Sequence, residues 1–195
     1  FDVEKLYEGL RKNALEGTMI PWRAGAAREP DRFYSEHGYF PALAPGEPEK
    51  YPYIDDGWEK RQAVSVTLEH SYDDWCLARF FEAKGDTEKA REYDLRSQRF
   101  KNVLDAETKL VRARRSDGTW AAPSDYNISV WSGFNETGAL NYRKNYTLFA
   151  PHDVPALIEF MGGNDAMAAF LDDIFDNGIY YVGDEFSMHA PYMYN

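Results

Sequence analysis

The sequence predicts an all-α protein, a toroid or solenoid built from helical hairpins with long functional loops between them. Three observations carry that prediction. Apolar residues recur at helical spacing in several separate stretches, Gly-containing turns divide those stretches into neighbouring pairs, and long Pro- and Gly-rich connections without periodicity join the pairs.

Asp2 is placed to cap a first helix whose stripe is Val3, Leu6, Tyr7, Leu10 and Ala14, with Gly17 as its stop. Thr18 to Gly57 has turn signals every few residues and no sustained period, so it reads as a long ordered loop, and loops of that length usually carry function. Gln62 to Lys84 resumes helix, with Val64, Leu68, Tyr72 and Trp75 on one face. Gly85-Asp86 turns it into a second helix bearing Ala90, Tyr93, Phe100 and Leu104, an αα-hairpin. Leu104 to Trp120 has the alternation and Asp-Gly turn of a small hairpin or extended loop, and a polar stretch follows through Gly133. Another helix is expected to begin within Gly138 to Tyr146. Asp153 can cap VPALIEFM, which Gly162-Gly163 stops, and Asp165 can cap AMAAFLDDIF before Gly178.

A chain of 195 residues, 44% of them apolar, can bury one sizeable core, so a single segment, residues 1–195, is expected. No apolar run reaches the roughly 18 residues that would span a bilayer. The net charge is −11 with no basic stripe, which argues against an electrostatic grip on nucleic acid and for neutral, cationic or metal-bridged ligands. Cys76 is the only cysteine, excluding an internal disulfide and a cysteine zinc cluster. Phe1 opens directly on a helix start without an initiator methionine, which reads as a chain cut from a longer precursor.

The densest chemistry lies in SVTLEHSYDDW, residues 65–75. Helical spacing puts Gln62, Ser65, Glu69 and Asp73 in one polar row beside the apolar stripe. Glu69 and Asp73, four apart, are like charges close enough to raise at least one pKa, which is how a carboxylic acid stays protonated near neutrality and serves as a general acid. The plainer reading is a solvated face, with Asp73 or Asp74 paired to Arg61, Arg79 or another base. His70 reads as a hydrogen-bonded packing residue, and Asp153 as a helix cap flanked by His152. His189 has no partner at zinc spacing, whereas Glu185, with Asp184 in a glycine-containing loop, could offer oxygen to a hard cation. Trp22, Trp58 and Trp131 fall in loops, where a ring can stack on a sugar or cover the core. P-loop, GxGxxG and GxSxG motifs are absent from the sequence.

Four stretches in order, GYFPALAPGEPEKYPYIDDGWEKRQAVSVTLEHSYDDWCLARF, RFKNVLDAET, FAPHDVPALIEFMGG and HAPYMYN, resemble the catalytic domain of glycoside hydrolase family 92, the calcium-dependent exo-α-mannosidases. The resemblance covers most of the chain and implies part of an (α/α)6 toroid, a preceding β-sandwich domain outside this chain, and inverting hydrolysis of terminal α-mannosides, as in mannose-rich N-glycans. It implies Glu69 as general acid and Glu185 as a ligand of Ca2+. Glu136, Trp58, His152 and Asp153 are candidate substrate-binding residues, and Asp73 and Asp74 supporting carboxylates. The stretch ETGALNYRKNY departs from the EGNxWQY-like stretch that shapes the mannose pocket in relatives. The family's general base comes from a GNDD segment beyond Asn195. Asp73, one turn along the same helix as Glu69, shares its wall and is a poor base. The 195 residues alone are therefore expected to be a hydrolytically dead half-site that needs the remainder of the parent domain. The implied location is secreted, periplasmic or cell-surface, where the sequons at Asn127, Asn135 and Asn145 would matter only in a eukaryotic secretory route. Two other readings stay open: another (α/α)-toroid hydrolase or isomerase acting on a different sugar, and a helical-repeat binding scaffold.

Overall fold

The computed structural model describes residues 2–57, 61–124, 140–183 and 185–195. The described part is mostly helical, with seven α-helices, a two-stranded ribbon and short 3-10 turns. No described helix is long and apolar enough to cross a membrane.

Helix α1 (Val3–Leu15) begins at Asp2, whose side chain accepts from the Lys5 backbone N–H, a standard answer to the unpaired donors of a first turn. The long connection that follows, expected as loop throughout, contains α2 (Glu29–His37). Only nine residues long and rich in charge, α2 shows no apolar period. It is specified instead by Pro30 in its first turn and by Gly38 at its end, in the left-handed region at φ 78°. A Cβ on Gly38 would meet Asn102 Nδ2 at 2.7 Å and displace the amide that donates to Gly38 O at 2.9 Å.

Helix α3 (Ala63–Ala83), 21 residues, is the longest described helix. It is buried on most sides, and its Val66, Leu68 and Ala78 join Ile20, Phe40, Ile54 and Phe100 among the least accessible side chains. Burying each Leu, Ile or Phe in this way contributes roughly 1.5–3 kcal/mol. Tyr72 and Trp75, expected on the same face as Val64 and Leu68, are only half-buried. After Gly85, α4 (Thr87–Ser97), capped by Asp86, folds back and packs extensively on α3, as the hairpin reading requires. It ends earlier than expected. Phe100 and Val103 lie on a 3-10 turn (Gln98–Val103), a tighter winding that steers both into the main core.

The expected small hairpin is two. β1 (Leu104–Asp105) pairs antiparallel with β2 (Leu110–Val111), and the Asp117-Gly118 turn closes a separate bridge between Arg114 and Trp120. Helix α5 (Leu140–Thr147) lies where a helix was expected. Helix α6 (Val154–Met161) is capped by Asp153 and ends at Gly162, and α7 (Asn164–Asp176) follows at once. Its cap is Gly163, not Asp165. The chain passes straight from the Gly162-Gly163 turn into the helix, and Asp165 falls in the first turn, where its charge meets the positive helix end.

Candidate active site

A cleft of about 520 Å³ opens along α3. One wall is the predicted polar row in full: Gln62, Ser65, Glu69 and Asp73, with Val66 and His70 beside it. The rim comes from the segment after α1, including Met19, Pro21 and Arg23, and the far side from Tyr146, Glu185 and Phe186.

Each wall is held by identifiable contacts. At the foot of α3, buried Arg61 donates to both carboxylate oxygens of Glu49 (2.9 and 2.6 Å) and to Pro41 O (2.6 Å), while Phe40 N–H donates to Thr67 Oγ1 (2.9 Å). The rim hangs on Asp31, a buried carboxylate that accepts from Met19 N–H (2.8 Å) and Arg28 N–H (2.7 Å). Trp22 Nε1 donates to Ile54 O (2.9 Å), which fixes its indole in packing against the core, and Arg23 donates to Tyr53 O (2.5 Å) and Asp55 O (3.2 Å). On the far side, Tyr146 and Phe186 stack with ring centroids 4.0 Å apart, and His189 Nε2 donates to Leu148 O (2.8 Å), tying down the segment that carries Glu185.

Glu69 is exposed to the cleft, yet the concave surroundings strip enough water from it to push its pKa from 4.5 up to about 7, helped by the charges of Asp73 and Glu185. Burial also raises the carboxyl of Asp73, an effect opposed by nearby His70. Burial lowers the pKa of His70, whose ring lies 6.0 Å from that of Tyr34. Among the described residues neither Glu69 nor Asp73 has an ion-pair partner; Arg61 is on Glu49, and Arg79 is on Asp94 and Glu82. The base that the plainer reading called for is Arg96, and it takes Asp74, with Arg96 Nε donating to Asp74 Oδ1 at 3.0 Å on the side of α3 that faces α4.

The cleft thus brings Glu69, Asp73 and Glu185 together and leaves other candidates apart. His152 donates from Nε2 to Ser97 O (3.1 Å) and packs edge-on to Phe100, which accounts for it as a packing residue; burial lowers its pKa. Asp153 accepts from Ala156 N–H (3.2 Å) as the cap of α6. Neither lines the cleft. Trp58, Glu136, Asp184, Trp131, Asn127 and Asn135 lie outside the described residues. The third sequon is buried: Asn145 Nδ2 donates to Ile179 O (3.0 Å), leaving no room for a glycan on it in this fold. Sequence reasoning passed over Asn13, Arg23, Tyr146 and Asp31. The sequence signal for Asp31 is its place at the third residue of α2, a helix without an apolar stripe to announce it.

Among the described residues no group of three or more His, Cys, Asp or Glu is arranged to hold a metal ion. The carboxylates on the cleft are the donor type that calcium takes, but that ion needs six to eight oxygens. The described residues match the donor chemistry without forming a cage.

A family model for the glycosyl hydrolase family 92 catalytic domain matches residues 1–195. A protein of Arthroderma benhamiae described as an uncharacterized secreted glycosidase is 28% identical over 176 residues, 81% of this chain and 22% of that protein. The fold is similar to that of a GH92 alpha-mannosidase of Bacteroides thetaiotaomicron, with TM-score 0.75 and 25% identity over 100% of this chain and 23% of the other. A GH92 inverting mannosidase of the same organism gives TM-score 0.74 and 24% identity, over 100% of this chain and 27% of the other. The chain therefore spans about a quarter of the length of these relatives.

Proposed function

The chain belongs to glycosyl hydrolase family 92, and from that premise we propose that it carries the proton-donor wall of an inverting exo-α-mannosidase. The full catalytic unit would be an (α/α)6 toroid, acting on mannose-containing glycans outside the cell or in the periplasm. One observation carries the reading: Glu69 lines the same cleft as Asp73 and Glu185, with its carboxyl pushed up to about 7.

An acid held there is protonated near neutrality, and its proton can pass to the glycosidic oxygen as the C1–O bond breaks. Inversion requires a second carboxylate activating water on the opposite face of the sugar, about 6.5–9.5 Å away. Asp73 stands on the same helix as Glu69 and so on the same side of the bond. Its role is electrostatic support of the acid, and the base comes from another wall of the catalytic unit. Residues 1–195 by themselves would release no mannose. Glu185 would supply one oxygen ligand to calcium, and the bound cation would engage sugar hydroxyls and favour ring distortion; no proton transfer depends on it here.

The reading is tested on the full-length protein with aryl α-mannosides and α-glucosides, each with and without a calcium chelator. Mannose release that chelation abolishes and added calcium restores is expected. Preferential α-glucoside hydrolysis indifferent to chelation would remove the assignment.

A further inference from the structure

Behind the cleft wall, on the row of α3 next to that of Glu69, lies a buried polar cluster whose side chains come from α2, α3, α4 and the 3-10 turn after α4. Asp74 of α3, 2% exposed, receives Arg96 of α4 at 3.0 Å. Arg96 also reaches Ala14 O (3.4 Å) at the end of α1. Arg99 sets its guanidinium carbon 4.9 Å from the ring centre of Tyr34 on α2 and donates to Ser35 O (2.9 Å). Tyr34 is itself 2% exposed, and its ring is 6.0 Å from that of His70. Asp74 Oδ2, Tyr34 Oη and Arg99 Nη1 are all buried without a hydrogen-bond partner, although Tyr34 and Arg99 approach each other short of full hydrogen-bond geometry.

A cluster like this is not the cheapest way to fill the space. Buried ion pairs often add no stability over apolar side chains of the same volume, and each unmatched polar atom costs about 1–3 kcal/mol. What such groups provide is direction. His70 and Asp74 are one turn apart on the same face of α3, so the cluster grips the helix at the turn that carries Glu69.

We infer that the Asp74–Arg96 pair, with Tyr34 and Arg99 around it, is a positioning device that fixes the rotation of α3 and thereby aims the Glu69 carboxyl at the glycosidic oxygen. The inference rests on Glu69 being the proton donor. Side-chain tips stand about 5–6 Å from a helix axis, so turning α3 by about 10° moves that carboxyl about 1 Å. A displacement of about 1 Å at a reacting group can lower the rate about 100-fold. Burial pushes the Asp74 carboxyl up to about 6 against the pull of Arg96, so the pair is ionic near neutrality and weaker in acid.

The test is made in the full-length protein with Asp74→Asn, which keeps shape and removes charge, and Tyr34→Phe, which removes one hydroxyl. Each is assayed on an aryl α-mannoside whose leaving group needs no proton and on a mannose disaccharide whose leaving group does. Misaiming the acid lowers kcat on the disaccharide about 100-fold for Asp74→Asn, less for Tyr34→Phe, and leaves the activated substrate within about threefold. Equal loss on both substrates, or lowered stability with unchanged kcat in the folded variants, overturns the positioning role. Glu69→Gln is run alongside. If it too fails to discriminate between the substrates, the proton-donor reading falls; if it discriminates and Asp74→Asn does not, only the present inference falls.

Discussion

Asp73 and Asp74 are consecutive residues on one helix, and the fold treats them in opposite ways. Asp74 is enclosed and paired with Arg96. Asp73 is exposed on the cleft wall beside Glu69, with no ion-pair partner among the described residues. The difference teaches how to separate structural from functional acid on a helix that carries both. A carboxylate matched by a guanidinium fixes how one helix sits against another, whereas an unmatched pair of carboxylates in a concave site costs free energy and marks a candidate for chemistry.

The contrast breaks most readily at Arg96. Arg96→Ala leaves Asp74 buried without its partner and is expected to cost about 3 kcal/mol, while Asp73→Ala should stay within about 0.5 kcal/mol of the wild type. Urea unfolding of both variants checks this, and equal losses would erase the distinction. A smaller effect is expected at the rim. Asp31→Ala removes the acceptor of two backbone N–H groups in a buried position and should cost about 2 kcal/mol, read by the same unfolding curves. Asp153→Ala, which strips a cap from α6, should cost about 1 kcal/mol.

The smallest effect has a diagnostic sign. The folded protein holds the Glu69 carboxyl near 7 against an ordinary 4.5, so it favours the protonated form. That contribution to stability is fully present below the unfolded pKa and is lost as pH rises through about 7. Glu69→Gln, neutral throughout, should therefore match the wild type near pH 4 and melt at a higher temperature above pH 7. Because Glu69 is exposed to the cleft, the gain will be small. Thermal melts that stay coincident from pH 4 to above pH 7 would mean that Glu69 is not strained by burial and its neighbours.

The sequence was informative where a single periodicity decides the outcome. The row Gln62, Ser65, Glu69, Asp73 follows from helical spacing alone, and the structure lines one cleft with all four. The caps at Asp2 and Asp153 were legible because they need only a side-chain oxygen and a following helix. Helix α2 was not, since Pro30 and Gly38 define its ends but its short charged body has no stripe. Arg96 as the partner of Asp74 was hidden for a different reason. The pairing depends on how α4 lies against α3, a tertiary register that neither helix's own pattern encodes. Glu185 entered through resemblance, and its presence in the cleft depends on the Tyr146–Phe186 stack, two aromatic residues forty positions apart that no local pattern connects.

The central claim is that Glu69 gives up a proton during glycosidic cleavage, and leaving-group dependence tests it most directly. In the full-length protein, Glu69→Gln should lower kcat/KM on a mannose disaccharide by about 10²–10⁴-fold while sparing an activated aryl α-mannoside. A variant equally active with wild type on both substrates, or equally impaired on both, would contradict it.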